Sequence, residues 1–162
     1  MVENIYILTG PVQSGKTTRI SNWAMGKNDV FGILSPVING KRMFTDVHSK
    51  EIFEMEANPA ETGILMIGKF KFSNAGFSKA IGILRKGMKE KSGWLVVDEI
   101  GPLELKGEGF SGILKEILRS AFNQQKILLV TRESILEEVI QFFGLRHYQC
   151  VVIDSEADIF KK

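Results

Sequence analysis

Gly10-Pro11-Val12-Gln13-Ser14-Gly15-Lys16-Thr17-Thr18 decides how this chain is read, because it directly follows the apolar run Ile5-Tyr6-Ile7-Leu8-Thr9. The stretch fits G-x-x-x-x-G-K-[ST], a phosphate-binding loop that requires a strand before it and a helix after it. A triphosphate concentrates negative charge on closely spaced oxygens, so a cradle needs many donors converging on a small volume. Backbone N–H groups of a tight loop supply them, and side chains there would only obstruct. Gly10 and Gly15 provide backbone freedom that a Cβ removes. The helix that starts near Lys16 aims its unpaired N–H groups and positive dipole end at the same anion. Lys16 adds a mobile charge for the β- and γ-phosphates, and the Thr17 hydroxyl is a ligand for Mg²⁺. All residues from Gly10 to Thr18 are therefore candidates for holding ATP, GTP or another NTP.

Outward from this loop the pattern alternates. A helix over 16–25 buries Ile20, Trp23 and Ala24, with Gly26 as its stop. A strand over 30–34 ends before Pro36. Asn39-Gly40 then marks a hairpin between Val37-Ile38 and residues 41–44. Residues 51–57 place Phe53, Met55 and Ala57 on one face, and residues 63–72 read as a further strand. Residues 36–72 thus form a β-rich insertion, a place where substrate-specific features are carried on a fixed scaffold.

From Ser73 the period becomes helical, with Phe77, Ala80, Ile81, Leu84 and Met88 on one face and Gly93 beyond the end. Trp94-Leu95-Val96-Val97 is a buried strand that ends at Asp98-Glu99, and Gly101-Pro102 breaks the chain. A helix over 110–122 turns Ile113, Leu114, Ile117 and Leu118 inward. The strand 127–130 ends at Thr131-Arg132. Ser134 and Glu137 form a capping box for a helix bearing Leu136, Val139, Ile140 and Phe143, which Gly144 ends. A last strand over 151–153 and a short helix over 155–160 complete the order.

Apolar strands alternating with amphipathic helices imply an α/β fold, a mostly parallel sheet covered on both faces. Right-handed crossovers put the strand C-termini on one edge. The loop at 10–18, Asp98-Glu99 and Thr131-Arg132 should therefore line one crevice.

Asp98 follows four apolar residues of a buried strand and is placed to hold the Mg²⁺ hydration shell opposite Thr17. Glu99 is the candidate catalytic base, a second carboxylate able to orient or deprotonate a water for in-line attack. Lys16 and Arg132 are the candidate catalytic cations. Arg132 is placed to stabilise transition-state charge in cis, with a solvated surface arginine as the alternative. Thr131 either senses the γ-phosphate or caps a helix. Glu104 reads as a solvated loop carboxylate, and Trp23 and Trp94 read as core.

Gly10-Pro-Val-Gln-Ser-Gly-Lys-Thr-Thr18 together with Val96-Val-Asp-Glu-Ile-Gly-Pro-Leu-Glu-Leu105 resembles the nucleoside-triphosphatase family of P-loop NTPases. That family includes the cancer-related nucleoside-triphosphatase and its thermophilic relatives. Gly68-Lys-Phe and Val130-Thr-Arg-Glu extend the likeness. The resemblance implies a P-loop fold of the kind with a catalytic Glu, and Mg²⁺-dependent hydrolysis of several nucleoside triphosphates to diphosphate and phosphate.

Composition agrees with one globular domain over residues 1–162: 44% hydrophobic, 25% charged, net charge +2. That charge is too small to argue for a nucleic-acid or membrane partner. Cys150 is the only cysteine, so neither a disulfide framework nor a cysteine metal cluster is available. A cytoplasmic protein with no membrane segment is the expectation. No protein partner is named by any motif.

Two other functions stay open. A small-molecule kinase could use the same loop, with the insertion at 36–72 holding an acceptor, although no arginine-rich lid follows Asp98. A nucleotide-dependent binding module could use Lys69-Phe-Lys-Phe72 for single-stranded nucleic acid. An amphipathic strand with rings inward accounts for that stretch more simply. The Asn-Lys-x-Asp guanine motif is missing, which argues against strict guanine selectivity.

Overall fold

The computed structural model describes residues 4–12, 14–120, 124–146, 150–154 and 160. Gln13, the end of the helix expected at 110–122, and residues 155–159 of the expected terminal helix lie outside the described residues.

The chain begins with β1 (Ile5–Gly10), α1 (Lys16–Ala24) and β2 (Val30–Leu34). The insertion contributes β3 (Val37–Ile38), β4 (Lys41–Asp46), β5 (Ile52–Glu54), β6 (Ile64–Ile67) and β7 (Phe70–Ser73). There follow α2 (Asn74–Met88), β8 (Trp94–Asp98), α3 (Pro102–Leu105), α4 (Ser111–Arg119), β9 (Lys126–Arg132), α5 (Leu136–Phe142) and β10 (Cys150–Ile153). The main sheet has the order β10-β1-β9-β8-β2-β4-β3, with β5 on β4. From β10 to β2 every neighbouring pair is parallel, and the insertion strands join antiparallel at β2. The mostly parallel α/β sheet is the one that the alternating pattern implies.

Alternation along the strands sorts the two faces. Leu95, Val97, Ile127 and Leu129 pack with Phe77, Ala80 and Leu84 of α2 and with Ile113, Leu114 and Ile117 of α4. Val96, Leu128 and Val130 point the other way, onto Ile20, Trp23 and Ala24 of α1. Two apolar layers therefore clamp the sheet, and burial on both sides is what makes its strands continuous apolar runs. Trp23 and Trp94 meet edge to face with centroids 5.2 Å apart, as core rather than as a base-stacking platform.

Four local expectations need correction. Residues 63–72 are not one strand. Gly68 takes φ +55°, so Gly68-Lys69 turns the chain and β6 pairs antiparallel with β7. The capping box at Ser134 does not form: β9 runs through Arg132 straight into a 3-10 turn, Glu133–Ile135, and α5 is capped by Ile135 without a side-chain bond. Gly101-Pro102 starts a helix as well as breaking the chain, with Pro102 as the first residue of α3, a position that lacks a partner for its N–H anyway. Glu104 is buried at 3% exposure instead of solvated.

Candidate functional site

Gly15 has φ +84°, in the left-handed region where a side chain is strained, and its carbonyl accepts from the Arg19 N–H at 2.9 Å to start α1. A Cβ on Gly10 would come 3.2 Å from Ser14 Oγ, so the loop closes tightly across its own mouth. Lys16 is folded back over that loop. Its Nζ donates to the Pro11 carbonyl at 2.8 Å, and to the Gly10 carbonyl and Ser14 Oγ at 3.3 Å. The ammonium thus sits among the loop's own oxygen atoms.

Asp98 ends β8 and is 2% exposed. The Thr17 hydroxyl donates to Asp98 Oδ2 at 2.6 Å, and the Ser35 N–H donates to the same oxygen at 3.3 Å. Burial pushes the Asp98 carboxyl up to about 6, with the Thr17 hydrogen bond opposing and the neighbouring Glu99 charge adding to the rise. Thr17 and Asp98 are hard oxygen donors side by side, the donor chemistry that suits Mg²⁺.

Glu99 follows Asp98 and meets Arg132, whose Nε lies 3.4 Å from Glu99 Oε2, with both side chains about a quarter exposed. Register explains the meeting. β9 lies between β1 and β8, opposing Arg132 to Gly10 and Val130 to Asp98. Thr131, the intervening residue, points into the interior at 0% exposure and donates to the Ile100 carbonyl at 2.9 Å. It neither faces the phosphate position nor caps a helix. It ties down the turn that carries Glu99.

Val12, Ser14, Gly15, Lys16, Thr17 and Thr18 line one cleft together with Arg42, Asp98, Glu99 and Arg132. Of the residues expected to share a crevice, Val12, Ser14 to Thr18, Asp98, Glu99 and Arg132 do so, whereas Thr131 points inward and does not line it. Sequence reasoning missed Arg42. It lies two positions past the Asn39-Gly40 turn, its N–H is held by Glu56 Oε2 at 2.6 Å, and its guanidinium lies over the Phe70 ring at 5.1 Å. A cation at a fixed offset from a hairpin turn was the available signal. Phe72 is buried whereas Phe70 stays 37% exposed beneath that guanidinium, so the Lys69–Phe72 stretch is a hairpin arm rather than a row of free rings.

Glu104 was also missed as a buried group. It accepts from the Gly101 N–H at 2.7 Å and the Phe110 N–H at 3.0 Å. Burial pushes its carboxyl up to about 7, against those two hydrogen bonds.

The fold has solved counterparts. THEP1 from the hyperthermophile Aquifex aeolicus superposes with a TM-score of 0.71 at 20% identity, over 93% of this chain and 88% of that one. The human cancer-related nucleoside triphosphatase superposes with a TM-score of 0.66 at 18% identity, over 97% and 92%. No curated protein matches the sequence. The profile of the family described as NTPase matches residues 5–157, nearly the whole chain, and the protein belongs to that family of NTP-hydrolysing enzymes.

Proposed function

We propose that the protein is a Mg²⁺-dependent nucleoside-triphosphate hydrolase that converts NTP to NDP and phosphate, with Glu99 activating the water. The observation that carries this reading is the cleft itself, which the phosphate loop, Asp98 and Glu99 line together. Thr17 and Asp98 would hold the ion, which when bound neutralises developing charge on the phosphate oxygens. Lys16 exchanges its loop contacts for the β- and γ-phosphates. Glu99 accepts a proton from the water as its oxygen bonds to the γ-phosphorus, and the bond to the β–γ bridging oxygen breaks to release NDP. Arg132 faces the same charge from the adjacent strand end. The sequence lacks the Asn-Lys-x-Asp guanine motif, which supports a broad base preference. The lone cysteine supports a reducing compartment such as the cytoplasm.

Glu99→Gln tests the proposal. The variant is expected to bind nucleotide as the parent does and to lose at least a hundredfold in turnover, about 2.7 kcal/mol of barrier. Phosphate release and calorimetric nucleotide binding are measured together across ATP, GTP, CTP and UTP. Hydrolysis at the parent rate removes Glu99 as the base.

A further inference from the structure

Beyond the phosphate cleft lies a second pocket with a different chemistry. Met55, Ile67, Phe70, Phe72, Phe77 and Leu103 make its apolar walls. Among the residues lining the two spaces, three are common: Arg42, Glu99 and Arg132. No described residue of the phosphate loop lines the second pocket. A molecule there would border the phosphate cleft at Glu99 and the two arginines.

We infer that this pocket binds a small alcohol with an aromatic or similarly apolar body, and that the enzyme transfers the γ-phosphoryl group to that alcohol as well as to water. The inference rests on the role proposed for Glu99. The walls supply ring faces and aliphatic carbon for the body, Glu104 lies buried in the lining, and Glu99 at the polar mouth is the carboxylate that takes the hydroxyl proton. In the step, the alcohol oxygen bonds to the γ-phosphorus, its proton passes to Glu99, and the β–γ bridging oxygen leaves with the NDP. The products are NDP and a phosphomonoester, with no further reactant. β6 and β7, which supply Ile67, Phe70 and Phe72, pair with one another outside the main sheet. This hairpin therefore builds an acceptor wall from residues that do not line the phosphate cleft.

Benzyl alcohol, tryptophol and thymidine serve as probes, each with ATP and Mg²⁺, and ³¹P NMR follows phosphomonoester, free phosphate and ADP. At least one probe is expected to saturate and to yield a phosphomonoester, so that free phosphate falls below ADP. Ile67→Trp, which narrows the pocket, is expected to lower the ratio of transfer to hydrolysis at least tenfold. Phe70→Ala removes a partly exposed wall, puts folding at little risk, and is expected to raise the acceptor KM at least threefold. Free phosphate equal to ADP with every probe, while hydrolysis continues, overturns the acceptor site and leaves the hydrolase reading standing. Phosphomonoester formed equally by Ile67→Trp and Phe70→Ala overturns the pocket assignment. Absence of both products from the parent enzyme overturns the hydrolase reading itself.

Discussion

Glu99 and Arg132 face each other across the ends of β8 and β9, and their roles separate by substitution. Arg132→Ala removes a cation from the cleft and frees Glu99 from its ion pair. A tenfold or greater fall in kcat is expected, ~1.4 kcal/mol of barrier, and steady-state phosphate release measures it. A change within twofold assigns Arg132 to structure alone. Glu104 makes a prediction about stability. Its folded carboxyl titrates at about 7 against an ordinary value of 4.5, because burial penalises the anion and the Glu99 charge adds to that. Between those values the folded protein holds a proton that the unfolded chain has released. Stability therefore falls as pH rises from about 4.5 to about 7. Glu104→Gln cannot titrate, so its unfolding free energy should be flatter across that window by on the order of 2–3 kcal/mol, read from urea unfolding at several pH values. The amide loses one acceptor toward Gly101 or Phe110, so its stability at low pH should lie below the parent's.

Among the elements, β2 shows what the sequence pattern carries and what it omits. Val30–Leu34 reads as a strand from its apolar run, and it is one. The run does not disclose that Gly32 takes φ +120°, or that a Cβ there would lie 2.1 Å from the Val96 carbonyl oxygen. Gly32→Ala is expected to cost ~3 kcal/mol or more, from backbone strain and overpacking together, measurable by denaturant unfolding. The same division recurs elsewhere. Asn39-Gly40 announces its hairpin through two residues that tolerate positive φ, and both adopt it. Gly68-Lys69 is a weaker turn signal inside an apolar stretch, so alternation of Phe70 and Phe72 with lysines extended one strand across what is a hairpin. Ser134 and Glu137 have capping spacing, but where a helix starts is settled by how far β9 runs before it.

At the scale of the molecule, one strand stands between the phosphate-loop strand and the Asp98 strand. Interposing β9 brings Arg132 to the cleft, where Asp98 is in hydrogen-bond contact with Thr17. The gathering of loop, acids and Arg132 was legible because each follows a run that reads as a parallel strand. Arg42 was not, because it arrives on an antiparallel insertion strand whose pairing partner, β2, no local pattern names. Nucleotide binding to so many elements should show in global stability. Mg²⁺ and a non-hydrolysable triphosphate at a hundred times Kd are expected to add about 2.7 kcal/mol to the parent, seen as a rise in Tm, and Lys16→Ala should lose most of that rise. The contacts that Lys16 makes to Gly10, Pro11 and Ser14 in the loop have a consequence for selectivity. An incoming anion has to offer the ammonium at least as many oxygens as it gives up. Lys16 gives up three and chloride offers none, so an anion without oxygens is expected to leave the loop closed on itself.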